Sequence, residues 1–123
     1  MILGSVNTRL EASVVVVLRG PTGIESKVET IIDTGFTDAI TMPAGLVMAL
    51  GLVRQSSGTA MLADGTVCQF DYWLAEIEWS GTWRKVLVST VGDEPLLGMQ
   101  LLANHKLEIE VRFGGTVQIS PIP

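Results

Sequence analysis

The chain is poor in the residues that most often build cross-links, nucleophiles and metal sites. It has one cysteine, Cys68, so no disulfide can form within a chain, and its alternation with two aromatic residues predicts a buried thiol. The one histidine, His105, has no serine or cysteine motif beside it, which argues against a Ser–His or Cys–His nucleophile. The carboxylates show no recognisable ligand spacing, so no metal site is predicted.

Basic residues and long apolar runs are scarce too. Eight lysines and arginines stand against 13 acidic residues, giving a formal net charge of −5, and no basic stretch offers a footprint for nucleic acid. Charged residues and glycines interrupt every apolar segment before it reaches the length of a membrane span. Residues 1–4 lack the basic and apolar regions of a signal peptide. We therefore expect a cytoplasmic protein without nucleic-acid or membrane partners.

The chain does contain enough apolar material for one packed core, with 47% hydrophobic and 17% charged residues. No linker, repeat or change of composition divides it, which predicts a single domain over residues 1–123. β-Branched runs and period-two alternation dominate, most clearly over residues 12–18, 24–32 and 107–113. Hairpin turns at close spacing predict a mostly antiparallel, all-β barrel or sandwich.

Short helices and irregular segments complete the predicted secondary structure. A helix is expected over residues 43–50, with proline in its first turn and glycine after its end, and a second over residues 99–104. Residues 55–58 are polar and predict a loop. Farther on, the apolar side chains change from even to odd positions, which predicts a β-bulge near Leu74.

The triplet Asp33-Thr34-Gly35 follows directly on the apolar strand that ends at Ile32. Such a strand fixes the position of a carboxylate that could act as an acid or base. The threonine hydroxyl can hydrogen-bond a neighbouring backbone, and glycine fits where a side chain would clash. The triplet alone is also compatible with an ordinary turn, because aspartate and glycine are common turn residues.

Two further segments make the pattern more specific. Residues 62–66 read Leu-Ala-Asp-Gly-Thr, and residues 96–102 read Leu-Leu-Gly-Met-Gln-Leu-Leu. Together with residues 31–37 they resemble, in kind and order, the retroviral-type (retropepsin-like) aspartic proteases, and most nearly their single-domain bacterial relatives. The resemblance implies an acid-protease closed β-barrel with one or two short helices. It also implies hydrolysis of a peptide or protein substrate without metal or cofactor, with Asp33 as the catalytic residue.

One catalytic aspartate per chain implies a homodimer. No second Asp-Thr-Gly or Asp-Ser-Gly triplet occurs, and a twofold axis beside Asp33 would bring its copy to the same site. Two carboxyls this close hold one proton between them. By the same resemblance, the Thr34 hydroxyl reaches the partner's loop and Gly35 forms the tight turn. Leu97 and Gly98 pack beneath the catalytic loop.

A hairpin tip in the middle of the chain resembles the family's flap, which closes over substrate. It consists of Leu62, Ala63, Asp64, Gly65 and Thr66. Three features depart from the viral pattern: the tip has one glycine, a bulky Phe36 follows Gly35, and Pro121 and Pro123 follow the C-terminal strand. In the viral enzymes the chain ends interleave with those of the partner.

Two alternatives remain open from the sequence. The acid-protease fold could serve as a non-catalytic dimerisation or peptide-binding module, because an intact triplet is necessary for activity but not sufficient. Alternatively, the chain could be a monomer whose catalytic pair forms only at high concentration or on substrate. Cleavage assays on an Asp33→Asn variant separate the first alternative from a protease, and sedimentation across a concentration series separates the second from a stable dimer.

Overall fold

The computed structural model describes all 123 residues as a mostly β structure with two short helices. The helices are α1 (Ala44–Ala49) and α2 (Met99–Leu102). The ten strands, in chain order, are β1 (Ile2–Val6), β2 (Ala12–Arg19), β3 (Glu25–Ile32), β4 (Ile40–Thr41), β5 (Val53–Met61), β6 (Val67–Trp79), β7 (Thr82–Ser89), β8 (Leu96–Leu97), β9 (His105–Ile109) and β10 (Thr116–Pro121).

All ten strands join one sheet in the order β5-β6-β7-β4-β8-β3-β2-β1-β10-β9. A further pairing joins β2 to β6, so the hydrogen-bonded path β2-β3-β8-β4-β7-β6 returns to its start. The strands β5 and β9 lie at the two ends of the sheet and are not paired with each other. The all-β class expected from the sequence is confirmed, whereas a closed barrel for the whole molecule stays a prediction.

The hairpin β2–β3 is the part of the sheet that the sequence predicted best. Its pairs run without a break from Ser13↔Ile31 to Arg19↔Glu25, as the period-two pattern requires. One face of β2 enters the core, where Val14, Val16 and Leu18 are fully or nearly fully buried.

One cluster of 20 buried apolar residues forms the core. Alternate residues of β2, β6 and β10 supply much of it, and both helices contribute apolar side chains: Val47 comes from α1, and Leu101 and Leu102 come from α2. Because each helix is too short to be stable alone, this burial is what holds it in place.

The chain termini pair with each other inside one chain. The strand β1 is antiparallel to β10, from Ile2↔Ile119 to Ser5↔Thr116, and β10 pairs in turn with β9. Pro121 is the last residue of β10, opposite His105, so the proline ends the strand without interrupting it. The terminal strands thus satisfy each other's backbone groups within one molecule.

The polar loop predicted over residues 55–58 is wrong, because these residues lie inside β5. Pairing with β6 gives these residues backbone hydrogen-bond partners, and this pairing does not require apolar side chains. Polar side chains of β5 also hydrogen-bond a carboxylate on β6. Arg54 Nε donates to Asp71 Oδ1 at 2.9 Å, and Ser57 Oγ donates to the same oxygen at 3.1 Å.

The bulge expected near Leu74 is also wrong. The pairing of β6 with β7 has no register shift, and the one irregularity lies in β5, between Arg54 and Ser56. The apolar pattern changes because different faces of β6 are covered along its length. Odd-numbered residues such as Ala75 and Ile77 face the core, while even-numbered side chains are the better covered ones in the first residues of the strand.

The strand predicted over residues 107–113 is right only as far as Ile109. Beyond it the backbone turns towards β10. The side chains of Val111 and Phe113 are 71% and 68% exposed, so their alternation with charged residues marks no buried face.

Candidate active site

Parallel pairing of β3 with the short strand β8 places Asp33. The strand β3 pairs in parallel with β8, through Ile31↔Leu96 and Ile32↔Leu97. The pairing continues one residue further, because the Asp33 backbone N–H donates to the Leu97 carbonyl at 2.9 Å. Leu97 itself is fully buried. The backbone of Asp33 is therefore anchored to the core of the molecule, while its side chain is half-buried at the end of the strand.

The turn after Asp33 is closed by its own side chain. The Gly35 N–H donates to Asp33 Oδ1 at 2.9 Å, and the Phe36 N–H donates to the Asp33 carbonyl at 3.1 Å. A Cβ on Gly35 would lie 3.3 Å from the same carboxylate oxygen, so glycine keeps this contact free. Thr34 is exposed, and its hydroxyl makes no hydrogen bond within the chain.

Gly98 packs directly against the backbone beneath the turn. Its N–H donates to the Ala39 carbonyl at 2.8 Å, and the next N–H, of Met99, donates to the Phe36 carbonyl at 2.8 Å. A Cβ on Gly98 would lie 2.1 Å from the Asp38 carbonyl oxygen and 2.6 Å from a carbon of the Phe36 ring. No side chain fits there, so the bulky residue after Gly35 is accommodated by the glycine beneath it.

The predicted flap residues form an exposed tip that connects β5 to β6. Gly65, with φ of 85°, closes the turn by donating to the Leu62 carbonyl at 2.9 Å. Asp64 accepts from the Thr66 hydroxyl at 2.7 Å and from its N–H at 2.9 Å, which lowers the pKa of this carboxyl. No hydrogen bond joins this tip to the turn at Asp33.

A contact at the inner part of the hairpin does reach the loop that follows the Asp33 turn. The Tyr72 hydroxyl, on β6, donates to Asp38 Oδ2 at 2.7 Å. Burial first, and then this carboxylate, raises the pKa of Tyr72 to about 12. Sequence reasoning missed this pair. The available signal was the even-numbered run that includes Phe70 and Tyr72, whose rings meet edge to face at 5.1 Å.

The residues proposed from sequence thus separate into two groups. The structure brings together Asp33, Thr34, Gly35, Leu97 and Gly98 around one turn. It places the tip residues 62–66 at the exposed end of a hairpin whose inner part, through Tyr72, contacts Asp38 in the loop that follows this turn.

The remaining candidate residues have structural contacts. His105 accepts from Trp79 Nε1–H at 3.2 Å and donates through Nδ1 to the Ala103 carbonyl at 2.8 Å, so both ring nitrogens are used. Cys68 is half-buried, less covered than its alternation suggested. No group of three or more histidine, cysteine or acidic side chains is arranged to hold a metal ion. Neither helix has the length and apolar character needed to cross a bilayer.

Comparison with known proteins identifies the fold. No protein-family model and no curated protein matches the chain. Among solved structures, the EIAV protease complexed with the inhibitor HBY-793 is similar, with a TM-score of 0.57 and 19% sequence identity over 75% of this chain and 85% of that one. The two proteins are similar in backbone structure, and this similarity establishes that the chain has a retropepsin-like fold.

Proposed function

We propose that this chain is an aspartic endopeptidase that works as a homodimer, with Asp33 of each copy forming the catalytic pair. The observation that carries the proposal is the Asp33-Thr34-Gly35 turn, anchored to Leu97 and packed on Gly98, within a retropepsin-like fold. Its half-buried carboxylate at the end of a core strand has a fixed position but can still reach a substrate.

The proposed chemistry needs both carboxyls at one water molecule. One carboxylate removes a proton from the water, which attacks the carbonyl carbon of the peptide bond. The other carboxyl, protonated, donates a hydrogen bond to the carbonyl oxygen as negative charge develops there. The proton taken from the water then passes to the amide nitrogen, the C–N bond breaks, and the amine and carboxylic acid products leave. The two carboxyls hold one proton between them, because two like charges this close repel each other. The reaction requires no metal or cofactor.

The other site residues have supporting roles in this proposal. Because the Thr34 hydroxyl has no hydrogen-bond partner within the chain, it is proposed to contact the partner's turn. The tip formed by residues 62–66 is proposed to cover the bound substrate. The substrate is a peptide or protein in extended form, held by backbone hydrogen bonds between the hairpin and the floor of the site. The proposal includes that this chain is a single-domain relative of the bacterial type. It would act in the cytoplasm, without nucleic-acid or membrane partners.

A cleavage assay tests the function. A denatured protein mixture is incubated with the wild-type chain at acidic to neutral pH, and new termini are identified by mass spectrometry. We expect Asp33→Asn to abolish cleavage while leaving the fold intact, since the amide oxygen of the substituted side chain could still accept from the Gly35 N–H. Glu29→Gln is the matched control, because Glu29 is an exposed carboxylate on the same strand.

Two results contradict the proposal. Equal cleavage by wild type and Asp33→Asn would show that Asp33 does not carry the reaction. No cleavage by either protein would favour the non-catalytic dimerisation or peptide-binding module.

A further inference from the structure

We propose that Tyr72 is a positioning residue for the proposed reaction: through Asp38 it holds the base of the hairpin β5–β6 against the loop that follows the Asp33 turn. The part that opens is then residues 56–71, which we call the outer hairpin. The inference rests on the proposed function, because a cover matters only when substrate lies beneath it. It adds the contact that holds the cover in place and the point at which its moving part ends.

The loop that carries Asp38 is fixed relative to the catalytic turn. The Asp38 carbonyl accepts from the Gln100 N–H at 3.3 Å, and a Cβ on Gly98 would lie 2.1 Å from the same oxygen. The next carbonyl, of Ala39, accepts from the Gly98 N–H at 2.8 Å. Because Gly98 also packs beneath the Asp33 turn, the backbone of Asp38 has a fixed place relative to the catalytic residue.

Tyr72 lies at the level where β6 gains a second neighbouring strand. The pairing of β6 with β7 begins at Tyr72↔Ser89, and Ser89 is buried. Residues 67–71 pair only with β5. On β5, the register shift between Arg54 and Ser56 falls at the same level, because Ser56 is the partner of Tyr72. Since a two-stranded hairpin is marginally stable alone, the sheet can bend where the third strand begins.

The ring of Tyr72 also contacts the outer hairpin. It meets the Phe70 ring edge to face, with centroids 5.1 Å apart. Both rings lie against the backbone of Gly58 on β5, where a Cβ would be 3.0 Å from the Phe70 ring and 3.1 Å from the Tyr72 ring. A Tyr72 ring held by Asp38 therefore sets the tilt of both strands beyond it.

One hydrogen bond provides this hold. The Tyr72 hydroxyl donates to Asp38 Oδ2 at 2.7 Å, and no other side-chain hydrogen bond joins the hairpin to residues 33–42. No lysine or arginine pairs with the Asp38 carboxylate. Hydrogen bonds to a charged group are stronger than neutral ones. Burial and this carboxylate raise the pKa of Tyr72 to about 12, which keeps the phenol protonated as the donor.

The kinetics of Tyr72→Phe test the positioning role. The phenylalanine ring can keep its place beside Phe70 and Gly58, but it has no hydroxyl for Asp38. We expect KM for a peptide substrate to rise about fivefold, since the loss of one hydrogen bond shifts the population of the covering position by about that factor. The value of kcat should stay the same, because Tyr72 does not touch the reacting carboxyls.

Thr82→Val is the matched control. It also removes one hydroxyl hydrogen bond from the pair β6–β7, that of Thr82 to the Trp79 carbonyl at 3.1 Å, but at the end of the pair opposite Tyr72. The KM of this variant should equal that of the wild type. An unchanged KM in Tyr72→Phe, or an equal rise in both variants, would overturn the positioning role.

Variants of Asp38 test the acceptor. Asp38→Asn keeps a side-chain oxygen that can accept from the phenol, whereas Asp38→Ala has none. We therefore expect a larger rise of KM in Asp38→Ala than in Asp38→Asn. Adding Tyr72→Phe to Asp38→Ala should raise KM no further, since both changes remove the same bond. A double variant whose rise is the product of the two single effects would contradict the proposal.

Hydrogen exchange locates the moving part without relying on cleavage. In the wild type, the fast-exchanging amides of β6 should end at Asp71, and in Tyr72→Phe they should extend into residues 72–74. The outcomes for function stay separate. Cleavage that depends on Asp33, with KM and this boundary unchanged in Tyr72→Phe, overturns only the positioning role. A shifted boundary in a chain that cleaves nothing overturns the protease and leaves the contact as the hold of the hairpin.

Discussion

At the scale of single residues, the candidate site depends on where side chains are absent. Gly35 leaves room for its N–H to reach Asp33, and Gly98 lets two backbone segments approach beneath the turn. The two glycines differ in how much room they leave. A Cβ would meet a carboxylate oxygen at 3.3 Å at Gly35, but a backbone carbonyl at 2.1 Å at Gly98.

We therefore expect Gly98→Ala to be far more damaging than Gly35→Ala. The backbone at Asp38 must move to admit the methyl group, which should lower the free energy of unfolding by about 2 kcal/mol and displace the Asp33 turn. Urea denaturation and kcat/KM on a peptide substrate measure the two effects. Equal stability losses in the two variants would contradict the packing argument.

The Tyr72–Asp38 hydrogen bond gives a stability effect with a defined pH range. Tyr72→Phe removes the hydrogen bond to Asp38 and should lower the free energy of unfolding by about 1 kcal/mol near pH 7. The net loss is this small because the phenol hydroxyl of the unfolded wild-type chain bonds to water instead. The folded-state pKa of about 12 lies above the ordinary value of 10.0, so the protonated phenol is the stabilised form.

The contribution of Tyr72 is thus complete below about pH 10 and is lost as pH rises through about 12. Denaturation of wild type and Tyr72→Phe at several pH values should show a constant difference up to pH 10 that then shrinks. A difference that grows in that range would contradict the assignment.

At the scale of elements, the hairpin β5–β6 differs from the rest of the sheet. Most of β5 is exposed, and the tip at residues 62–66 is exposed throughout. Few apolar contacts tie this part of the hairpin to the core, so local opening should cost less there than global unfolding. This is the property that a movable cover requires.

Native-state hydrogen exchange tests this difference. We expect backbone amides of residues 56–61 and 67–71 to exchange on the order of tenfold or more faster than those of β2 and β3. A bound peptide inhibitor should slow exchange in the hairpin. Uniform protection across all four strands would show that the hairpin does not open independently.

At the scale of the whole molecule, the proposed protease needs two intact chains. Mixing equal amounts of wild type and Asp33→Asn, with time for exchange, leaves about a quarter of the dimers fully wild type, so cleavage should fall to about half of that from the same wild-type chains alone. Unchanged cleavage would show that one chain acts by itself. Glu29→Gln, mixed in the same way, is the control.

The sequence by itself determined most of the strands, the hairpin β2–β3, both helices and the position of the triplet at Asp33, because alternation, the prolines and glycines that bound helices, and turn residues act over a few neighbours. Only the tertiary structure decided that polar residues 55–58 are part of a strand, that the strand predicted over residues 107–113 ends at Ile109, and that Tyr72 contacts Asp38. These outcomes depend on backbone groups and surfaces supplied by distant parts of the chain, and no local pattern encodes which partner will be there.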